Sequence, residues 1–402
     1  MVGLPDLGGL LDPGFRQPAS CVIEMGTART NIGPIAALVA EVEIQTAREE
    51  AATGRIVIED RRREDGTWTA ADSGLFTRWA PIRVSADFET HRELILSGYV
   101  LRLAPDYPGN AAEAKLTIEV QDEGAALSRE QMRRVWGEEA PITDLAILGE
   151  LVRDADIRPD AASAQGQSSR QLSQDATPIQ FLRERARANG YELIFLDGRV
   201  YFGPRRLTGT PQAPILVYAG RTTNARSFAL QDMADTPDAV RVDLAPREEG
   251  ATPEVTTVTP AEPVLGTTPA AAEGAALGTA SVWRLGREGD ETAEEATARA
   301  QALADLHAFK LRATGELDGS LYGHVLRPGA PVTVDGPGSR YGGLYYVDRV
   351  THRMTPEGYV QGFELMRNAT GESAGPLGPL DAGGSAIAGL FGPSAGLAAG
   401  FG

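Results

Sequence analysis

Four histidines, one cysteine and a scatter of carboxylates are the side chains of this sequence that stand out for nucleophilic, acid-base or metal chemistry. His91, His307, His324 and His352 are too far apart along the chain for a local metal motif, and Cys21 has no Cys or His neighbour at zinc-ligand spacing. His307 follows Ala300 and Leu303 on a helical stripe, which puts it at the edge of a core. His352 closes a strand beside Arg353, where a solvent-facing or interface position is expected. The pairs Glu49-Glu50 and Glu138-Glu139 have the composition of glycosidase carboxylates, but both lie among polar residues. A catalytic pair needs one carboxyl desolvated to raise its pKa, so a solvated face is the better reading. The glycine cluster from Gly336 to Gly343 falls between two strands and lacks the Lys-Ser/Thr pair of a phosphate loop, so it reads as a hairpin loop. With no G-x-S-x-G and no Cys/His constellation, the expectation is no catalytic, cofactor-binding or metal residues, no cofactor, and not an enzyme.

The composition narrows the partners. The chain has 402 residues with 38 basic and 55 acidic side chains, a formal charge of −17. Nucleic acid and anionic membranes require clustered Lys and Arg, so neither specific nucleic-acid binding nor stable membrane insertion is expected. A single cysteine allows no internal disulfide. The N-terminal stretch lacks a basic region and is broken by Pro5 and Asp6, so it does not read as a signal peptide, and no run of about 18 apolar residues is present. The chain is therefore expected to be made in a cytoplasm.

The elements that position these residues are legible in places. Thr177 caps a helix opened by Pro178, with Gln180 completing a capping box, and Ile179, Leu182 and Ala186 form its apolar stripe. Gly190 ends that helix. Tyr191 to Leu196 and Arg199 to Phe202 then flank Asp197-Gly198, the dipeptide of a type I′ hairpin turn. Before it, Glu41–Gln45, Arg55–Glu59, Pro81–Phe88, Arg92–Leu103 and Lys115–Gln121 alternate apolar and polar residues at period two, as in an antiparallel sandwich or barrel. Thr143 caps another helix, with Ile142 and Ile147 as a hydrophobic staple and Leu145, Leu148 and Val152 as its stripe. Strand patterns resume at Ser227–Leu230 and Ala239–Leu244. Residues 246–279, rich in Pro, Ala and Thr, read as a long loop or arm. Thr292 with Glu295 opens a helix over 292–309, and strands follow at Ala330–Val334, Gly343–Val350 and Tyr359–Met366. The last residues are Gly, Ala, Ser and Pro, a composition fit for a flexible tail.

The order of these parts resembles the late control protein D group of phage tail hub proteins, related to the hub portion of type VI secretion spike proteins. The segments carrying the resemblance are Leu94–Leu103, the Thr177 helix with its Tyr191 hairpin, Thr292–Leu303, Leu326–Val332, Gly343–His352 and Gly358–Leu365 with Arg367. The resemblance implies a fold that is mostly β with an α+β insertion: two tube-type β-barrel domains, 18–121 and 216–368, flank a small α/β domain at 122–215. An extension at 1–17, the arm 246–279, the helix 292–309 and a Gly/Ala-rich tail at 369–402 complete the chain. It further implies a homotrimeric baseplate hub that joins a sixfold tail tube to a threefold central spike. The expected partners are the tail tube protein, a separate spike protein, and other baseplate or tape-measure proteins, in a virion tail or injection particle. Leu390, Phe391 and Phe401 are the candidate partner contacts in the tail. The alternative is a tail-associated protein that binds the host envelope or degrades its cell wall.

Overall fold

Strands with alternating burial dominate the computed structural model, which describes residues 19–168, 171–244, 252, 254–278, 280–289 and 291–372. In Lys115–Asp122, for example, Leu116, Ile118, Val120 and Asp122 face inward while their neighbours face out. Such strands bury one face, and their edges are satisfied by pairing.

Thirteen strands form one sheet. Its main path runs, in spatial order, through Ala225–Asp232, Leu311–Asp318, Gly358–Arg367, Gly343–Thr355, Val39–Ala47, Thr53–Glu59, Lys115–Asp122, Arg92–Asp106, Pro81–Asp87, Ser20–Met25 and Thr30–Asn31. Pro331–Asp335 pairs with Gly343–Thr355 off this path, and Gln212–Leu216 runs parallel to Pro331–Asp335. The strands expected in two separate barrels are thus hydrogen-bonded into a continuous sheet, joined where Arg349–Met354 lies antiparallel to Val42–Ala47. The 13-residue Gly343–Thr355 strand makes this possible. Its first part pairs with Pro331–Val334 on one edge, and its later part frees that edge for Val42–Ala47.

The cores follow the same logic. One is built from Ile44, Ile56, Ile118 and Phe88 of the first half, yet Met354 and Tyr359 of the last strands fill it too. A second, around Tyr345, Val347, Phe363 and Leu365, belongs to the C-terminal strands. At about 25 cal/mol per Å² of apolar surface, each large side chain shared between halves contributes roughly 1.5–3 kcal/mol to holding them together.

Between the halves sits the α/β insertion. The Thr177 hydroxyl accepts from Gln180 N at 3.4 Å and the Gln180 side chain accepts from Thr177 N at 3.3 Å, so the capping box closes on the helix Pro178–Asn189. Gly190 ends it with φ +67°. Asp197 and Gly198 both take positive φ in the turn between Glu192–Leu196 and Arg199–Gly203, as a type I′ turn demands. The helix Asp144–Val152 starts at the Thr143 cap, and Ile142 packs against the cluster of Trp136, Ile147 and Phe181, in keeping with the staple pattern. Asp144, fully buried, accepts from Arg185 Nε at 2.7 Å, Asn189 Nδ2 at 2.8 Å and the Gln167 N–H at 2.8 Å.

The described part of 246–279 departs from a plain arm. Glu254–Val258 pairs antiparallel with Ala239–Leu244, which pairs on its other side with Val282–Leu285. The helix Ala293–His307, opened by the Thr292/Glu295 capping box, covers this small sheet with Ala296, Ala300 and Ala304. Leu265 is buried against Phe309, Tyr346 and Met366. The Asn368 side chain accepts from Leu265 N and donates to Pro263 O, both at 2.9 Å, and Thr268–Pro269 pairs with Ala369–Thr370. Leu265, Ala270, the Asn368 clamp and these strand pairings anchor a segment whose composition alone offers almost no core.

Candidate functional site

Each titratable group singled out in the sequence has a definite place. His307 meets Trp283 edge-on, ring centroids 4.6 Å apart, at the end of its helix. Glu49-Glu50 and Glu138-Glu139 are exposed, and the glycine cluster lies in the loop between two antiparallel strands. Cys21 is a free thiol, partly buried, and burial pushes it up to about 12. Leu390, Phe391 and Phe401 lie outside the described residues.

His352 corrects the expectation of a solvent-facing or interface position. It is 1% exposed, because it alternates with the exposed Arg353 onto the strand face that also buries Val350 and Met354. Its Nδ1 lies 2.8 Å from the Tyr359 hydroxyl and its Nε2 3.5 Å from Thr46 Oγ1. Burial pushes the imidazole down to about 3, with Arg327 adding to the shift.

His352 lines a cavity of about 390 Å³ where the two β halves and the α/β insertion meet, together with Thr46, Asp122, Tyr201 and Arg206. Burial pushes the Asp122 carboxyl up to about 7, although its oxygens accept from Ala52 N at 2.6 Å and Gly124 N at 3.0 Å. Nearby, burial pushes Glu192 up to about 7, opposed by the Arg48 charge and by the Tyr346 hydroxyl, which donates to Glu192 Oε2 at 2.8 Å. These bonds bind chain to chain. Tyr346 OH also accepts from Arg206 N at 3.0 Å, so the insertion is tied to the C-terminal strands. On the other side, Asp197 N donates to Ser97 Oγ at 2.8 Å and the Asp197 carboxylate accepts from Arg83 at 2.5 Å. The hairpin turn legible in the sequence is therefore the docking point of the insertion on the first β half. Asp122 and Glu192, which sequence reasoning did not select, carried no local signal: their burial arises only when three segments close together.

The structure also brings together residues that the sequence keeps apart. His91, Glu93 and His324 each present a ligand atom, all within 4.8 Å of one another. His91 and His324 stand in separate halves of the chain, so the absence of a local metal motif did not anticipate this group.

The similarity of the whole chain to other proteins is consistent in fold. Residues 27–356 match the family model described as the Alg8 N-terminal domain. The chain belongs to that family. It is a different family description from the late control protein D group that the order of segments resembles. No curated protein matches the sequence. Among solved structures, the 43 kDa tail protein of prophage MuSo2 from Shewanella oneidensis is similar at a TM-score of 0.64 and 14% identity, over 88% of this chain and 99% of that one. A tail protein from Neisseria meningitidis MC58 is similar at 0.61 and 12%, over 87% and 97%. An Escherichia coli type VI secretion component, described as structurally similar to the T4 tail proteins gp27 and gp5, is similar at 0.50 and 12%, over 82% and 73%. The chain thus has the mainly β fold of phage tail proteins. Among the described residues no helix is long and apolar enough to cross a membrane.

Proposed function

We propose that this protein is a non-enzymatic structural hub of a phage tail or related injection particle, of the late control protein D type. It forms a homotrimeric ring between a sixfold tail tube and a threefold central spike. The observation that carries this reading is the continuous sheet. Two β halves joined through Arg349–Met354 and Val42–Ala47 give each subunit two β units held at a set spacing, as a ring of three chains facing six tube subunits requires. The sheet's outer strand Ala225–Asp232 pairs, among the described residues, only with Leu311–Asp318, and so leaves an eight-residue edge for a neighbouring copy. The likeness in fold to tail proteins over nearly their whole length supports the same reading. The titratable groups at the junction hold segments together, as a load-transmitting part needs. In this reading the first β half and the module from Trp283 to Met366 carry the tube contacts.

The test is the mass of the purified chain by light scattering at several concentrations, with and without its tube protein. A trimer, or a monomer driven to trimer by the tube protein, is expected. A persistent monomer that ignores the tube protein refutes the hub and favours the envelope-binding alternative.

A further inference from the structure

We propose that His91, Glu93 and His324 form a binding site for a divalent transition-metal ion, zinc fitting best, that staples the first β half to the C-terminal half. Glu93 Oε1 is the shared point: His324 Nδ1 lies 2.8 Å from it and His91 Nε2 3.2 Å. In a tetrahedral site with ligands at about 2.0–2.2 Å, ligand atoms stand roughly 3.3 Å apart. Both His–Glu pairs are already near that spacing, and all three ligand atoms lie within 4.8 Å of one another. Two imidazoles and one carboxylate are a donor set that suits zinc and disfavours magnesium or calcium, and three protein ligands leave a fourth position for water.

The surroundings hold these donors in place. His91 follows a turn in which Glu89 takes φ +67° and Phe88 N donates to His91 O at 2.9 Å, and its ring stacks on Phe88. His324 follows Gly323, at φ +71°, and its carbonyl accepts from Gln361 Nε2 at 2.8 Å. Glu93 Oε2 accepts from Val325 N at 3.0 Å and faces Arg327 at 3.7 Å, which turns Oε1 toward the two rings. Thr90 Oγ1 lies 3.0 Å from His91 Nδ1, the hydrogen bond at the far ring nitrogen that orients a ligating imidazole.

One atom points to a missing cation. His91 Nε2 is buried and makes no hydrogen bond among the described residues, although a carboxylate oxygen stands 3.2 Å away. In the tautomer whose Nδ1–H is donated to Thr90, the Nε2 lone pair faces an anionic oxygen. Two acceptors in that relation repel unless a positive charge lies between them.

The experiment uses the full chain, free of any histidine tag and stripped with a chelator, titrated calorimetrically with zinc and, separately, magnesium. Cobalt binding is followed by its visible absorption. One zinc per chain, the cobalt bands of a four-coordinate site, and a higher melting temperature with zinc are expected, with no response to magnesium. H91A and H324A should each weaken zinc by at least about 10-fold, and the double variant should abolish the site. Wild type that stays folded without binding zinc or cobalt overturns the proposal. So does a stoichiometry unchanged in folded H91A/H324A. If the alanine variants fail to fold, the wild-type cobalt spectrum decides: a six-coordinate, water-like spectrum refutes the site.

Discussion

His352 gives a test whose sign and size both follow from its burial. An imidazole free in the unfolded chain titrates near 6.5, whereas the native group is pushed down to about 3. Below about pH 6.5 the unfolded chain therefore takes up a proton that the native state refuses, and stability falls by about 1.4 kcal/mol per pH unit toward pH 3. The stabilisation is fully present above the unfolded value and lost as acid is added. Substituting His352→Asn keeps a polar atom near the Tyr359 hydroxyl and removes the titration. Asp122 and Glu192, both pushed up to about 7, act in the opposite direction over part of the same range. They are common to both proteins and cancel when the two are compared. Urea unfolding of wild type and variant from about pH 7.5 to about pH 5 should show the wild type losing about 2 kcal/mol relative to the variant. A stability difference constant across that range would refute the argument that His352 is neutral and desolvated in the native state.

Two further outcomes follow from packing. Arg185→Ala leaves the buried Asp144 charge without its cation, though Asn189 and Gln167 remain, and should cost about 3–5 kcal/mol in urea unfolding; a loss below about 1 kcal/mol would mean that water reaches the site. Gly98→Ala places a Cβ 1.9 Å from Gln121 O and must push Arg92–Asp106 away from Lys115–Asp122, whereas Gly109→Ala meets nothing within 4 Å. The first should lose about 4 kcal/mol or more and the second stay within about 0.5 kcal/mol, read as melting temperatures, and equal effects would contradict the close strand approach.

What the sequence by itself determined is whatever depends on a few neighbouring residues. The Thr177 and Thr292 capping boxes, the Gly190 terminus, the Asp197-Gly198 turn and the staple at Ile142 rest on spacings of three to five residues or on one backbone angle, and each is found where its pattern stands. Period-two alternation likewise marked strands such as Thr53–Glu59 and Lys115–Asp122, though not Ser20–Met25 or Leu311–Asp318. Alternation does not name a strand's neighbour, since any strand with the same face offers the same ladder of N–H and C=O groups. Hence the pairing of Arg349–Met354 with Val42–Ala47 was decided only by the tertiary structure, as were its consequences. It helped to bury His352, which a strand-end reading placed in solvent or at an interface. Anchoring of Leu265 by Asn368 ordered part of a segment whose composition has little to bury. The meeting of His91 and Glu93 with His324 came from the same closure of the two halves, because contact between distant residues is set by strand register and core packing, which no local spacing encodes.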